Sequence, residues 1–221
     1  MLPTLAAVAL ASAAPGPSAA EMYRQVPGCT VDVAAMLKLS PYDFDQTDKG
    51  FRSLSTKSGC DVATANLIAT YRRSNWGKLD QNAVQISYWH EGQSRAFAGQ
   101  TELAIPLLLA GVNPGVAGLS AQFDRDNASI GVANAEYGLA TVAFLQGDLT
   151  GLKAARARLA VLPSPSMWTT AMRKSAAPAR PSMKWPPNLN IIDELIRCFG
   201  KPYKEAYSCD AIAAAKRGHA R

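Results

Sequence analysis

The pair His90–Glu91 is where the residue types of this sequence could most directly do chemistry. It begins the zinc-binding spacing H-E-x-x-H, in which two histidines one helical turn apart ligate the metal. Ser94 stands where the second histidine would be, and the only other histidine, His219, lies in the extreme carboxyl-terminal tail. A lone histidine on a helix packs or caps more often than it catalyses, so the sequence predicts no metal site.

Other catalytic signatures are also missing from the chain. The sequence has no G-x-S-x-G, no S-x-x-K, no phosphate-binding loop and no G-x-G-x-x-G. Glu91 and Glu136 would lie on neighbouring helices and could face one cleft, as a glycosidase requires. We expect instead that both face solvent or pair with Arg95 or a lysine. The sequence therefore predicts no cofactor and does not favour an enzyme.

The four cysteines of the chain predict two disulfides. The count is even, and no C-x-x-C or clustered histidine is present to favour a metal instead. Three pairings are possible. We prefer Cys29 with Cys60 and Cys198 with Cys209, because each pair is nearest in sequence and would tie one terminal region to the body.

The amino terminus has the pattern of an export signal. An apolar run over residues 5–14 is too short to span a bilayer, and Pro15, Pro17 and the small residues 18–20 follow it. We therefore expect a signal peptide over residues 1–20 and a periplasmic or secreted mature chain. That chain has no transmembrane segment, and export argues against a nucleic-acid partner.

The apolar spacing predicts long helices in the middle of the chain. Hydrophobic residues make up 48% of the sequence and β-branched runs are scarce. One helix is predicted over residues 60–73. A helix pair follows over residues 81–110, broken at Gly99, and a second pair over residues 130–162, broken at Gly147. Gly92 and Ala104 fall where the helices of the first pair would touch.

The first helix pair resembles a tetratricopeptide repeat. The matching positions are Tyr88 in place of the signature Trp, then Gly92, Gly99, Ala104 and Leu108. Glu91, Arg95 and the early Pro114 depart from the pattern. The second pair, over residues 133–162, matches through Ala140, Gly147 and Asp148. Short segments such as residues 59–60 and 89–93 also resemble segments of exported bacterial proteins, and this resemblance implies no known activity. The resemblance implies an all-α fold of stacked antiparallel helix pairs, as in a fragment of an α-solenoid.

In the repeat family the first helix of each pair lines a concave face, which here would bind a peptide or small ligand. The residues at these positions are Trp89, His90, Gln93, Asn134, Tyr137 and Thr141. Some family members clamp a terminal carboxylate with cationic and Asn residues at these positions. Here the cationic residues are absent, and only Asn134 matches the clamp. The alternative is that these aromatic residues simply pack against neighbouring helices.

The remaining segments complete the predicted organisation. Residues 21–162 form the helical domain, with a short helix over 31–39 and an ordered loop over 41–46. Residues 163–187 hold six of the fourteen prolines, and we expect this Pro-rich segment to lie on or beside the domain. Residues 188–221 hold a helix over 191–199 and a basic tail that includes a short helix over 210–216.

The charge of the chain is unevenly distributed. Residues 1–149 carry 10 Lys+Arg against 13 Asp+Glu, a net −3, whereas residues 150–221 carry 13 against 4, a net +9. The basic residues Arg173, Lys174, Arg180 and Lys184 lie close together in the Pro-rich segment. They predict a surface for anionic envelope polymers, and the alternative is a solvated basic tail.

Three functions therefore follow from the sequence. The first is an exported, non-catalytic interaction module that binds an unidentified peptide or partner protein in a helical groove. The second is an envelope enzyme or small-ligand binder centred on His90 and Glu91. The third is a structural protein that adheres to anionic envelope polymers through its basic carboxyl-terminal third.

Overall fold

The fold is all-helical wherever it is described. A computed structural model describes residues 28–112, 125–166, 168 and 184–209, with the side chains of 125–128 excepted. These ranges contain ten α-helices and no β-strand, which confirms the all-α fold class. No helix in this part of the chain is long and apolar enough to cross a membrane. The predicted signal peptide, the helix over 210–216 and most of the Pro-rich segment lie outside the described residues.

The helices follow one another with short connections. They are α1 (Val33–Met36), α2 (Pro41–Gln46), α3 (Arg52–Ser55), α4 (Asp61–Ser74), α5 (Gln81–Phe97), α6 (Thr101–Gly111), α7 (Arg125–Leu145), α8 (Leu149–Ala160), α9 (Leu189–Arg197) and α10 (Tyr203–Ala206). A 3-10 turn, Trp76–Lys78, connects α4 to α5.

The two predicted helix pairs, α5–α6 and α7–α8, are present. Within each pair a glycine turns the chain between the two helices. Gly99 and Gly147 have φ of 75° and 72°, the left-handed conformation that glycine adopts without steric cost. In the first pair, Gly92 allows α6 to approach α5 closely. A Cβ at this position would lie 2.9 Å from Leu108 Cγ and 3.0 Å from the Leu108 backbone nitrogen.

Several elements differ from the sequence prediction: α1 is shorter than the expected 31–39, and α7 begins at Arg125 rather than near residue 130. Residues 41–46, expected to be a loop, form helix α2, because the Ser40 side chain accepts a hydrogen bond from Asp43 N at 3.0 Å and Pro41 suits the first helical position. Helix α9 begins at Leu189 rather than near residue 191. Its N-cap is Asn188 in the left-handed conformation, with φ of 63°.

The buried residues form two hydrophobic clusters. The smaller one joins α2, α3 and α4 through Phe44, Phe51 and Leu67, and the larger one joins α5 to α10. The cysteines pair as preferred from the sequence. Cys29 lies opposite Cys60 with a Cα–Cα distance of 5.5 Å, and Cys198 opposite Cys209 with 6.3 Å. The first disulfide fastens the amino-terminal segment to the start of α4.

Candidate functional site

Trp89 of α5 packs closely against α6 and α7, because both helices have a glycine at the contact. A Cβ at Gly111 of α6 would lie 2.8 Å from the Trp89 backbone nitrogen, and one at Gly138 of α7 would lie 3.2 Å from the indole ring. The indole contacts the Tyr137 ring in a tilted arrangement, with 5.1 Å between centroids. Small residues on α6 and α7 therefore place two large aromatic rings side by side.

These rings line a cleft of about 320 Å³, which we call the central cleft. Its apolar and ring-bearing residues include Ile86, Trp89, His90 and Tyr137. Its amide side chains are Gln46, Asn82, Gln85, Asn134 and Asn188. Each amide offers both a donor and an acceptor, so the cleft combines an aromatic surface with many positions for hydrogen bonds.

His90 is oriented by a carboxylate from helix α2. Its Nδ1 lies 2.6 Å from Asp45 Oδ1, and the Phe51 ring lies 5.3 Å from the imidazole. Arg52 donates to the Asp45 carbonyl and brings its guanidinium within 3.8 Å of the Asp45 carboxylate. Sequence reasoning missed Asp45 as the partner of His90, because the two residues are 45 positions apart and no local spacing connects them.

Four of the six predicted groove residues line the central cleft: Trp89, His90, Asn134 and Tyr137. Gln93 does not line it, and its amide instead donates to the Tyr137 hydroxyl at 3.4 Å. Thr141 is fully buried and its hydroxyl donates to the Tyr137 carbonyl at 3.0 Å. The prediction that Thr141 faces an open groove is therefore wrong, whereas Gln93 is half-buried and lies outside the central cleft.

The reason for this correction is helix α10, which covers one end of the expected groove. The Tyr203 ring stacks on Phe97 at 5.2 Å and lies 5.8 Å from Phe144, while Tyr207 meets Phe97 edge-on at 5.1 Å. Tyr203 is only 4% exposed, and its burial raises the pKa of its hydroxyl. Helix α10 thus covers the Phe97 end of α5, and the central cleft lies toward its other end.

Glu91 is unavailable for chemistry in the cleft. It is 3% exposed, accepts from Arg72 Nη2 at 2.5 Å and from Arg95 Nε at 2.9 Å, and so faces inward rather than to solvent. Glu136 accepts from Arg158 at 2.8 Å. Neither carboxylate lines the central cleft. The two are held by different arginines, so they do not form the pair that a glycosidase needs.

The other predicted sites remain predictions. Of the basic residues expected to bind anionic polymers, Lys184 is exposed, and Arg173, Lys174 and Arg180 lie outside the described residues. The part of the chain that the structure describes contains no group of three or more His, Cys, Asp or Glu side chains that could hold a metal ion.

No protein-family model matches this sequence, and neither a curated protein nor a solved structure matches it significantly.

Proposed function

We propose that this protein is an exported, non-catalytic interaction module that binds an extended peptide segment of a partner protein in the central cleft. The observation that carries this proposal is the composition of the cleft, in which five amide side chains surround the rings of Trp89 and Tyr137. Side-chain amides can match the donors and acceptors of an extended backbone, and aromatic rings offer contact area at low entropic cost.

The charges of the cleft support an internal peptide segment over a chain terminus or an anionic polymer. Among the described residues, no lysine or arginine lines the central cleft. A terminal carboxylate or a phosphate would therefore find amide donors but no cationic partner. Neutral backbone is the ligand that best fits this lining.

The arrangement of the helices also supports a module of tetratricopeptide-like stacked pairs. The consecutive pairs α4–α5, α5–α6, α6–α7 and α7–α8 pack against each other. In such an array each helix pair buries its apolar face against the next, and the residues between the pairs are left to form a binding surface.

Two cysteine pairs at disulfide distance support export, because disulfides persist in oxidising compartments and are rare in the cytosol. The proposed location is the periplasm or the exterior of the cell, as the apolar leader predicts.

A selection from a displayed peptide library against the oxidised protein tests the proposal. We expect selected peptides to lose affinity when two cleft residues, the half-buried Gln85 and the exposed Asn134, are changed together to Ala. The matched control is Gln81→Ala, which removes an amide from the same helix outside the cleft. Selected peptides that bind the double variant as tightly as the wild type would overturn the proposal.

The hydrogen bond between His90 and Asp45 favours a second candidate function. A histidine oriented by a carboxylate beside a cleft is the arrangement that enzymes use for proton transfer. Hydrolysis of 4-nitrophenyl acetate would be measured for the wild type, His90→Ala and Asp45→Asn. A rate above buffer that both substitutions remove would support catalysis, and equal rates in all three proteins would exclude this esterase activity.

A further inference from the structure

A second cleft of about 320 Å³ lies beside the central cleft. Its walls come from α2, α4 and the start of α5, and they include the rings of Tyr42, Phe44 and Tyr71 and the aliphatic side chains of Ile68 and Leu79. Tyr42 is 70% exposed and forms an open aromatic wall. We call this the apolar cleft.

The apolar cleft and the central cleft adjoin each other. Gln46, Asn82 and Ile86 line both of them. The hydrogen bond between His90 and Asp45 also connects them, because His90 lines the central cleft and Asp45 lines the apolar cleft. A ligand in one cleft is therefore next to the other without crossing an intervening helix.

Helix α10 covers the end of the groove that lies away from the apolar cleft. The Phe97 end of the first helix is covered by Tyr203 and Tyr207. A chain that fills the central cleft can leave it at the opposite end of α5, where Asn82 and Ile86 line both clefts.

The charges at the apolar cleft indicate which peptides could bind there. Asp45 and Asp80 are its charged lining residues, and within the described part of the chain neither cleft is lined by lysine or arginine. Asp80 is exposed and accepts from Ala83 N at 2.7 Å as the N-cap of α5. Asp45 is already paired with His90 and lies near Arg52, so Asp80 is the lining carboxylate that would repel an acidic ligand but not a neutral or basic one.

We propose that the apolar cleft is a specificity subsite of the same binding surface, which takes an aromatic or large aliphatic side chain of a neutral or basic peptide while the neighbouring backbone lies in the central cleft. This inference rests on the proposed function. Under this proposal, partners are distinguished by an apolar side chain rather than by their backbone. Burial of a large apolar side chain should raise the affinity of a peptide about tenfold or more over one with alanine at that position.

Capped amino acids titrated into the oxidised, isotope-labelled protein test this proposal by nuclear magnetic resonance. The probes are N-acetylphenylalaninamide, N-acetylalaninamide and the anionic N-acetylphenylalanine. We expect the first to shift the amide signals of Leu79 and Ala83 at a concentration about tenfold below that required by the alanine probe. We expect the anionic probe to bind more weakly than the amide.

Two variants assign the effect to the apolar cleft. Tyr42→Ala removes its exposed wall and should abolish the preference for phenylalanine, with Trp76→Ala as the control, because Trp76 is also exposed, at 57%, but lines neither cleft. Asp80→Asn keeps an N-cap side chain and should narrow the difference between the neutral and anionic probes.

The outcomes separate this inference from the proposed function. If the phenylalanine and alanine probes shift the apolar cleft equally, if neither shifts it, or if the anionic probe binds best, the specificity subsite is wrong. The central cleft is judged separately, by the loss of selected peptides in the Gln85 and Asn134 double variant.

Discussion

Helices α5 and α7 begin the two helix pairs, and they bury polar side chains in opposite ways. Helix α5 buries a carboxylate, Glu91, between the guanidinium groups of Arg72 and Arg95. Helix α7 buries hydroxyl groups, those of Tyr137 and Thr141, and leaves its carboxylate, Glu136, in an ion pair with the half-exposed Arg158.

The difference teaches which contacts each helix depends on. A charge removed from water needs its partners, because an unpaired buried ion costs several kcal/mol. A buried hydroxyl needs only one hydrogen bond, which Thr141 makes to the carbonyl one turn earlier. The α4–α5 interface is therefore specified by ionic partners on two helices, whereas the buried hydroxyls of α7 have neutral partners: the Tyr137 carbonyl for Thr141, and Gln93 of α5 for Tyr137.

The largest effect is expected from Glu91→Ala. This change leaves Arg72 and Arg95 buried without their carboxylate, and Arg72 already has one terminal nitrogen without a hydrogen bond. We expect a loss of about 3–5 kcal/mol in the free energy of unfolding, measured by urea denaturation. A loss below about 1 kcal/mol would show that the two arginines reach water when the carboxylate is removed.

A smaller effect is expected from Gly92→Val, which tests the face of α5 that packs on α6. A side chain at this position would meet both the backbone and the side chain of Leu108, so the helices must separate. We expect a loss of about 1–3 kcal/mol in urea denaturation. Gly77→Val is the control, because a Cβ there meets nothing within 4 Å and its effect should be much smaller.

The hydroxyls buried around α7 predict a loss of stability in alkali. Burial raises the pKa of both Tyr137 and Tyr203 in the folded protein. In the unfolded chain these hydroxyls release their protons at about pH 10. The stabilisation that comes from keeping them protonated in the folded protein is therefore fully present below that pH and is lost as the pH rises above it.

Circular dichroism together with tyrosinate absorbance would measure this loss. Tyr203→Phe should shift the alkaline unfolding midpoint to higher pH, because the phenylalanine has no proton to release. An unchanged midpoint would show that Tyr203 does not control alkaline unfolding.

The smallest effect is expected from Glu136→Ala. Its partner Arg158 is 53% exposed at the side chain, and water replaces a lost ion pair at such a site. We expect a change of about 0–1 kcal/mol, measured in the same urea series as Glu91→Ala. Equal losses in the two variants would contradict the contrast between α5 and α7.

Local patterns in the sequence predicted most of the helical framework. The breaks at Gly99 and Gly147 are visible because the apolar period stops at a glycine, and Gly92 opposite Leu108 follows from the need for a small residue between close helices. The pairing of the four cysteines followed from their distance along the chain. Helix α2 was missed although Ser40 and Pro41 form a recognisable helix start.

The candidate site was predicted only in part. The repeat resemblance placed Trp89, His90, Asn134 and Tyr137 in one cleft, because they share a face of two neighbouring helices. It could not show that Thr141 is buried, since the residue that covers this end, Tyr203, is more than 60 positions away.

The sequence by itself determined most of the helices, the turns at Gly99 and Gly147 and four of the residues that line the central cleft, because these depend on spacing within a few helical turns. The tertiary structure alone decided that Asp45 orients His90, that Arg72 of α4 binds Glu91, and that α10 covers one end of the groove. These contacts bring together side chains from helices that are separate in sequence. Which helix packs on which is fixed by the burial of their apolar faces together, and no local spacing records that choice.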